Sequence, residues 1–163
     1  MTRVAAIDCG TNSIRLLVAD GHIDENGRPQ LADLTRQMRI VRLGQGVDAR
    51  GYLDPAAIER TVEATVEYQR MIEALGATST RFVATSATRD ASNSADFVRQ
   101  IKDVIGVEPE VVVGTEEASL SFNGAVSGLG ESVTAPMLVV DIGGGSTELV
   151  LGATRVEQAI SID

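Results

Sequence analysis

Apolar residues fall in short strand-like runs near both ends of the chain and at helical spacing in between. Val4-Ala5-Ala6-Ile7 and Ile14-Arg15-Leu16-Leu17-Val18 predict strands over 3–8 and 14–20, joined by a glycine turn. Turn residues at Asp20-Gly21-His22 and 24–29 then lead to a third strand within 31–43. Asp54-Pro55 opens a helix, an acid at the cap with proline at the first helical position. Ile58, Val62, Thr65, Val66, Met71, Ile72 and Leu75 form its apolar stripe, the methionine as core filling, and Gly76 closes it. Arg81-Phe82-Val83-Ala84 reads as a short buried strand and 85–91 as a polar loop. Asn93 is placed to cap a helix running to about Ile105. A strand over 110–113, a helix from Glu116 to about Ser127, a linker over 129–136 and strands over 137–141, 147–152 and 155–162 complete the chain.

The order is βββαβαβα followed by βββ: a first α/β domain over 1–128, the linker, and the opening strands of a second such domain over 137–163. A three-stranded meander needs a cover for its apolar face. No helix is left after it, so these strands are expected to pack on the first domain or on a second copy, or to belong to a longer natural protein. A homodimer is the expected assembly.

Composition narrows the class. The 163 residues are 44% hydrophobic and 23% charged, a globular balance. No apolar run is long enough to span a membrane and no signal-peptide core is present, so a cytoplasmic protein with no membrane partner is expected. The net charge of −9 argues against nucleic-acid binding. It counts only weakly against a phosphate substrate, because backbone N–H groups, local cations and a divalent metal can outweigh an acidic total. The single cysteine, Cys9, excludes an internal disulfide framework and a thiolate zinc cluster. It reads as a small buried residue, and His22 as exposed.

The chemistry concentrates in one grammar used twice. Leu138-Val139-Val140-Asp141-Ile142 runs into Gly143-Gly144-Gly145-Ser146, and a second apolar run follows Glu148. Near the start, Val4 to Asp8 runs into Cys9-Gly10-Thr11-Asn12-Ser13 in the same way. Glycines without a Cβ let the backbone turn tightly and offer N–H groups to an anion. Two such loops face to face would clamp phosphate. By contrast, Gly44-Gln45-Gly46-Val47-Asp48-Ala49 fits the dinucleotide fingerprint only on paper, because no helix is expected to open at Ala49.

The duplicated pattern resembles the actin, sugar kinase and heat-shock chaperone ATPase superfamily, a ribonuclease H-like, actin-type α/β fold. Within it, residues 6–17, Ala84-Thr85-Ser86-Ala87-Thr88-Arg89-Asp90-Ala91, Gly114-Thr115-Glu116-Glu117-Ala118 and 140–148 resemble the exopolyphosphatase and guanosine pentaphosphate phosphatase family. Four motifs in the right order span the chain. The resemblance implies Mg²⁺-dependent (or Mn²⁺-dependent) hydrolysis of terminal phosphate from inorganic polyphosphate, or of the 5′ γ-phosphate of guanosine pentaphosphate, a stringent-response signal. It also implies a second lobe closing over the first, so the chain is expected to be an N-terminal fragment or truncated form.

The resemblance makes Glu117 the general base. A carboxylate in a first helical turn is also held ionised by the helix dipole. Taken without the resemblance, Glu116 and Glu117 read as ordinary first-turn acids. Asp141, assisted by Glu148, is the expected metal ligand, with Asp8 its counterpart on the other loop or a turn-capping acid. Gly10, Thr11, Asn12, Ser13, Gly143, Gly144, Gly145 and Ser146 are the expected phosphate donors. Arg89 is either the cation on the transferred phosphate or half of a surface ion pair with Asp90. Ser119 stands where many relatives carry arginine, one phosphate contact fewer. Two other classes stay open: a kinase or ATPase of the same superfamily, and a non-catalytic module binding alarmones or partner proteins.

The 163-residue chain by itself is expected to hydrolyse polyphosphate weakly and to self-associate through its last strands. Vigorous phosphate release lost in Glu117→Gln, or a monomer by light scattering at high concentration, is the contrary outcome.

Overall fold

A computed structural model describes residues 1–25, 27, 29–127, 129 and 134–162. Its contacts divide the chain into two compact units, Met1–Val111 and Val112–Asp163.

In the first unit, β1 (Thr2–Cys9) buries Ala5, Ile7 and Cys9 and exposes Ala6 and Asp8, the period-two pattern of a strand with one covered face. β2 (Ser13–Ile23) lies antiparallel to it and buries Ile14, Leu16 and Val18. β3 (Pro29–Ile40) pairs antiparallel with β2. The chain continues through α1 (Val47–Arg50), α2 (Pro55–Leu75), β4 (Ser79–Ala84), α3 (Ser86–Arg89), α4 (Ser94–Ile105) and β5 (Glu110–Val111). The sheet order is β3-β2-β1-β4-β5, with β4 parallel to both β1 and β5. α2 brings Ile58, Ala64, Tyr68 and Ile72, and α4 brings Phe97, Ile101 and Ile105, to the same core as the inward row of β1 and β2. The Tyr68 hydroxyl donates to the Ile14 carbonyl at 3.0 Å, so the buried ring satisfies its polar end on the sheet. Asp54 caps α2 by accepting from the Ala56 N–H at 2.9 Å, and Gly76 ends it at φ 70°, as the sequence implies.

Local expectations differ from the structure at five places. The turn expected at Asp20-Gly21-His22 is strand, because β2 runs on to Ile23 and pairs these residues with Ala32, Leu31 and Gln30 of β3. One helical turn, α1, does form across Ala49. Gly46 and Gly51, at φ 76° and 69°, bracket it and stop it after four residues, so it is not the long helix a dinucleotide loop needs. The loop expected over 85–91 contains the single turn α3. The expected strand at 110–113 pairs only over Glu110–Val111. Asn93 does not cap α4 with its side chain. Its amide instead accepts from Leu53 N–H at 2.8 Å and donates to the Leu53 carbonyl at 3.0 Å, tying the α4 entry to the loop before α2.

In the second unit, α5 (Gly114–Ser127) precedes β6 (Met137–Ile142), β7 (Thr147–Gly152) and β8 (Val156–Ile162), an antiparallel meander in that order. Ala118 and Phe122 of α5 pack on Val150, with Val126, Met137, Val139 and Val156 around them. This corrects the expectation that no helix covers the meander. The covering helix precedes the strands, and sequence order alone places it in the first domain because it directly follows that domain's last strand. The linker expected over 129–136 falls largely on residues outside those described, as do Asn26 and Arg28 of the first turn region.

Aligning the two units on Asp8 and Asp141 shows what remains uncovered. Ala5, Ile7 and Cys9 are core residues, whereas the matching Leu138, Val140 and Ile142 are 62%, 48% and 78% exposed. The covered face of the second meander is thus the equivalent of the outer face of the first. Among the described residues no helix is long and apolar enough to cross a membrane.

Phe122 is completely buried as the central contact between α5 and its sheet. Phe122→Ala is expected to cost about 3–5 kcal/mol, read as an earlier unfolding midpoint in urea. A loss under about 1 kcal/mol would show that α5 does not hold this unit together.

Candidate functional site

Both acidic turns close in the same way. After Asp8, the Gly10 N–H donates to the Ser13 carbonyl at 3.0 Å; after Asp141, the Gly143 N–H donates to the Ser146 carbonyl at 2.9 Å. Each bond ties a residue two beyond the aspartate to one three further on, and the chain reverses into the next strand. The aspartates then occupy equivalent ladder positions, Asp8 opposite Arg15 and Asp141 opposite Glu148.

In the first unit the Gly10–Ser13 turn sits at the carboxyl end of β1, beside the carboxyl end of its parallel neighbour β4. Open α/β sheets receive ligands along this edge. Thr11 Oγ1 and Ser86 Oγ are hydrogen-bonded at 2.9 Å, joining the turn to α3. The segment after β3 is the third wall: Val41 and Arg42 both donate backbone N–H bonds to the Asn12 carbonyl, and Gly44 donates to that of Thr11. A Cβ on Gly44 would come within 2.3 Å of Thr11 Cγ2 and 3.1 Å of Ala87 Cβ, so glycine lets the three loops meet. Arg89 ends α3, with its Nε 3.4 Å from an Asp90 carboxylate oxygen. Asp8 lies 3.8 Å from Arg15. Cys9 is buried, and its thiol is pushed far above the usual range, first by desolvation and then by Asp8, so it is no nucleophile at neutral pH. His22 is exposed.

In the second unit the carboxylates gather around the first turns of α5. Asp141 accepts from the Ser121 hydroxyl, and the buried Glu148 accepts from the Ser161 hydroxyl at 2.9 Å. Gly114 opens α5 against Ser161, where a Cβ would come within 2.9 Å of that side chain. Glu117 lies three residues beyond Gly114 and one helical turn before Ser121, on the stripe that meets the sheet. One of its carboxylate oxygens is shielded from solvent. Thus Glu117, Asp141 and Glu148 share the covered side of one meander, while Asp8 belongs to the other.

The turns and acids are visible in the sequence, and Ser86 lies in the 84–91 motif with no role assigned to it; Ser121, Ser161 and the 41–44 segment are not singled out there. Ser121 was accessible as the i+4 neighbour of Glu117. The others depend on pairing and loop packing that no local pattern encodes.

Among the described residues no group of three or more His, Cys, Asp or Glu side chains is arranged to hold a metal. The pair Asp141–Glu148 nevertheless suits a hard divalent cation. Like charges directly opposite on neighbouring strands are unfavourable, and their hydrogen-bond partners here are neutral hydroxyls. Mg²⁺ binds through one or two carboxylates and keeps several waters.

Residues 22–163 match the model of the Ppx/GppA phosphatase family, and the chain belongs to that family. It is 52% identical to "Exopolyphosphatase 2" of Mycobacterium tuberculosis over the whole of this chain and 52% of that protein. A solved exopolyphosphatase-like protein superimposes with a TM-score of 0.90 at 46% identity, over 98% of this chain and 50% of its own. The Ppx/GppA family member of Aquifex aeolicus does so with a TM-score of 0.81 at 33% identity, over 99% and 51%. The architecture is the ribonuclease H-like, actin-type α/β fold. The chain spans about half the length of the curated relatives it matches.

The two glycine turns respond differently to a methyl group. At Gly143 it would sit 2.8 Å from the Ser146 carbonyl oxygen, at Gly10 an ordinary 3.6 Å from that of Ser13. Gly143→Ala is expected to cost about 1–3 kcal/mol, several degrees of thermal midpoint, and Gly10→Ala under about 1 kcal/mol. Equal losses by calorimetry would contradict this difference between the turns.

Proposed function

We propose that this chain carries catalytic residues of an exopolyphosphatase, which hydrolyses the terminal phosphoanhydride bond of inorganic polyphosphate. The observation that supports the reading is the cross-strand pair Asp141 and Glu148 flanking a closed Gly143–Ser146 turn, on a meander covered by the helix that carries Glu117, in a member of a phosphatase family.

Glu117 takes a proton from water as the water oxygen bonds to the terminal phosphorus. The bridging P–O bond breaks, giving orthophosphate and a chain one unit shorter. The helix dipole favours the ionised Glu117 that this step requires. Asp141 and Glu148, steadied by Ser121 and Ser161, are the residues that would hold Mg²⁺ or Mn²⁺. Bound there, the cation supplies neutralisation of charge on the phosphate oxygens. Gly144, Gly145 and Ser146 offer N–H and hydroxyl donors to a phosphate group, and Thr11, Asn12 and Ser13 offer the same at the other turn; the Gly143 and Gly10 N–H groups are committed to closing those turns, so these two glycines shape the cradle. Phosphoryl transfer depends chiefly on such positioning and charge compensation. Arg89, whose Nε lies 3.4 Å from Asp90, is the guanidinium proposed to meet the transferred phosphate.

Phosphate release by the full-length protein, assayed with polyphosphate and with guanosine pentaphosphate in Mg²⁺, tests the reading. Glu117→Gln is expected to lower kcat roughly 10²–10⁴-fold with polyphosphate as substrate. Unaltered turnover in Glu117→Gln removes the proposed base, and release from guanosine pentaphosphate alone transfers the activity to that substrate.

A further inference from the structure

We infer that Arg42, which no sequence motif singles out, is a further phosphate-contacting residue of the first unit, supplying a guanidinium to the polyphosphate chain at the Gly10–Ser13 turn. The inference rests on the exopolyphosphatase reading and extends its binding site.

Three observations carry it. The first is backbone conformation. Arg42 stands at φ 50°, the one non-glycine residue with positive φ among those described. A long side chain is disfavoured there, and such strain persists only where the surroundings over-determine it. The surroundings do so. The flanking Val41 and Leu43 are fully buried, and the N–H groups of Val41, Arg42 and Gly44 are all committed to the turn's Asn12 and Thr11 carbonyls. The Val41 carbonyl accepts from Arg60 Nε at 3.0 Å, and the Arg42 carbonyl from Gln45 N–H at 3.1 Å. Every one of these bonds is made by backbone atoms of 41–44, so glycine at 42 would keep them and relieve the strain.

The second is position. The bonds from Val41 and Arg42 to Asn12 fix the Arg42 backbone directly against the proposed phosphate turn, on the ligand-receiving edge of β1 and β4. The third is charge. Arg3, Arg15, Arg39, Arg50, Arg81 and Arg89 each have a carboxylate within ion-pair distance. Arg42 is exposed and has no ion pair with any described residue, in a chain of net charge −9. A guanidinium forks onto phosphate oxygens, and an unpaired one breaks no existing contact to do so. Strain retained at a residue whose side chain holds nothing in the fold indicates a use outside the fold.

Arg42→Gly and Arg42→Lys in the full-length protein separate binding from structure. Arg42→Gly is expected to keep or raise the thermal midpoint while raising KM for polyphosphate roughly tenfold, with kcat within about twofold. Arg42→Lys should fall between, keeping charge without the fork. An unchanged KM in Arg42→Gly overturns the proposal, and so does a lowered midpoint, which would make the side chain structural. Wild-type protein inert toward polyphosphate, or Glu117→Gln as active as wild type, overturns the underlying reading instead. A Glu117→Gln loss beside an unchanged Arg42→Gly overturns this inference alone.

Discussion

A glycine amide closing onto a serine carbonyl, directly after an aspartate, is the contact on which both halves of this structure are built. It reverses the chain within one turn, so the aspartate before it and the strand after it share a ladder. Without that closure Asp141 could not lie opposite Glu148, and the Asn12 carbonyl could not receive Val41 and Arg42. Backbone N–H groups at a tight turn are also fixed partial positive charges that need no reorganisation to meet an anion. The same turn therefore serves the fold, through its closing bond, and the proposed chemistry, through its remaining N–H groups.

The repeated turn is set in two different surroundings. In the first unit its neighbours are hydroxyls and the strained 41–44 segment. In the second they are carboxylates, each held by a serine hydroxyl from α5 or β8. A cross-strand arginine in one copy is a glutamate in the other, Arg15 against Glu148. One backbone device thus sits beside hydroxyls and an Asp8–Arg15 ion pair in one copy and beside two facing carboxylates in the other.

The helices repeat this contrast. α2 and α4 cover the inner row of β1, whereas α5 covers the face of β6–β8 that matches the outer row of β1. The second meander thereby gains enough apolar contact to fold beside α5, and keeps Leu138, Val140, Ile142, Ile160 and Ile162 exposed on its other side. An antiparallel sheet ordinarily keeps one face covered and polar residues on the other. The apolar character of this uncovered face marks a surface that the described residues do not bury.

Much of this was legible in the chain itself. Strand and helix spacing gave the element order. Asp54-Pro55 and Gly76 delimited α2, and the repeated Asp-x-Gly pattern located both turns, because these signals lie within a few residues of the feature they specify; Glu117 stood out only through the family resemblance. What the chain could not reveal depended on distant pairing. Asn93 bonds Leu53 rather than its own helix, Ser161 reaches Glu148 only through strand register, and α5 follows the first unit in sequence while packing on strands that come later. Arg42 is the sharpest case: an ordinary residue between two apolar neighbours in sequence, it takes a positive φ beside the Gly10–Ser13 turn, where Asn12, some thirty residues earlier, accepts its amide. Local periodicity fixes which residues face inward. Only tertiary hydrogen bonding decides which backbone is held against its own preference.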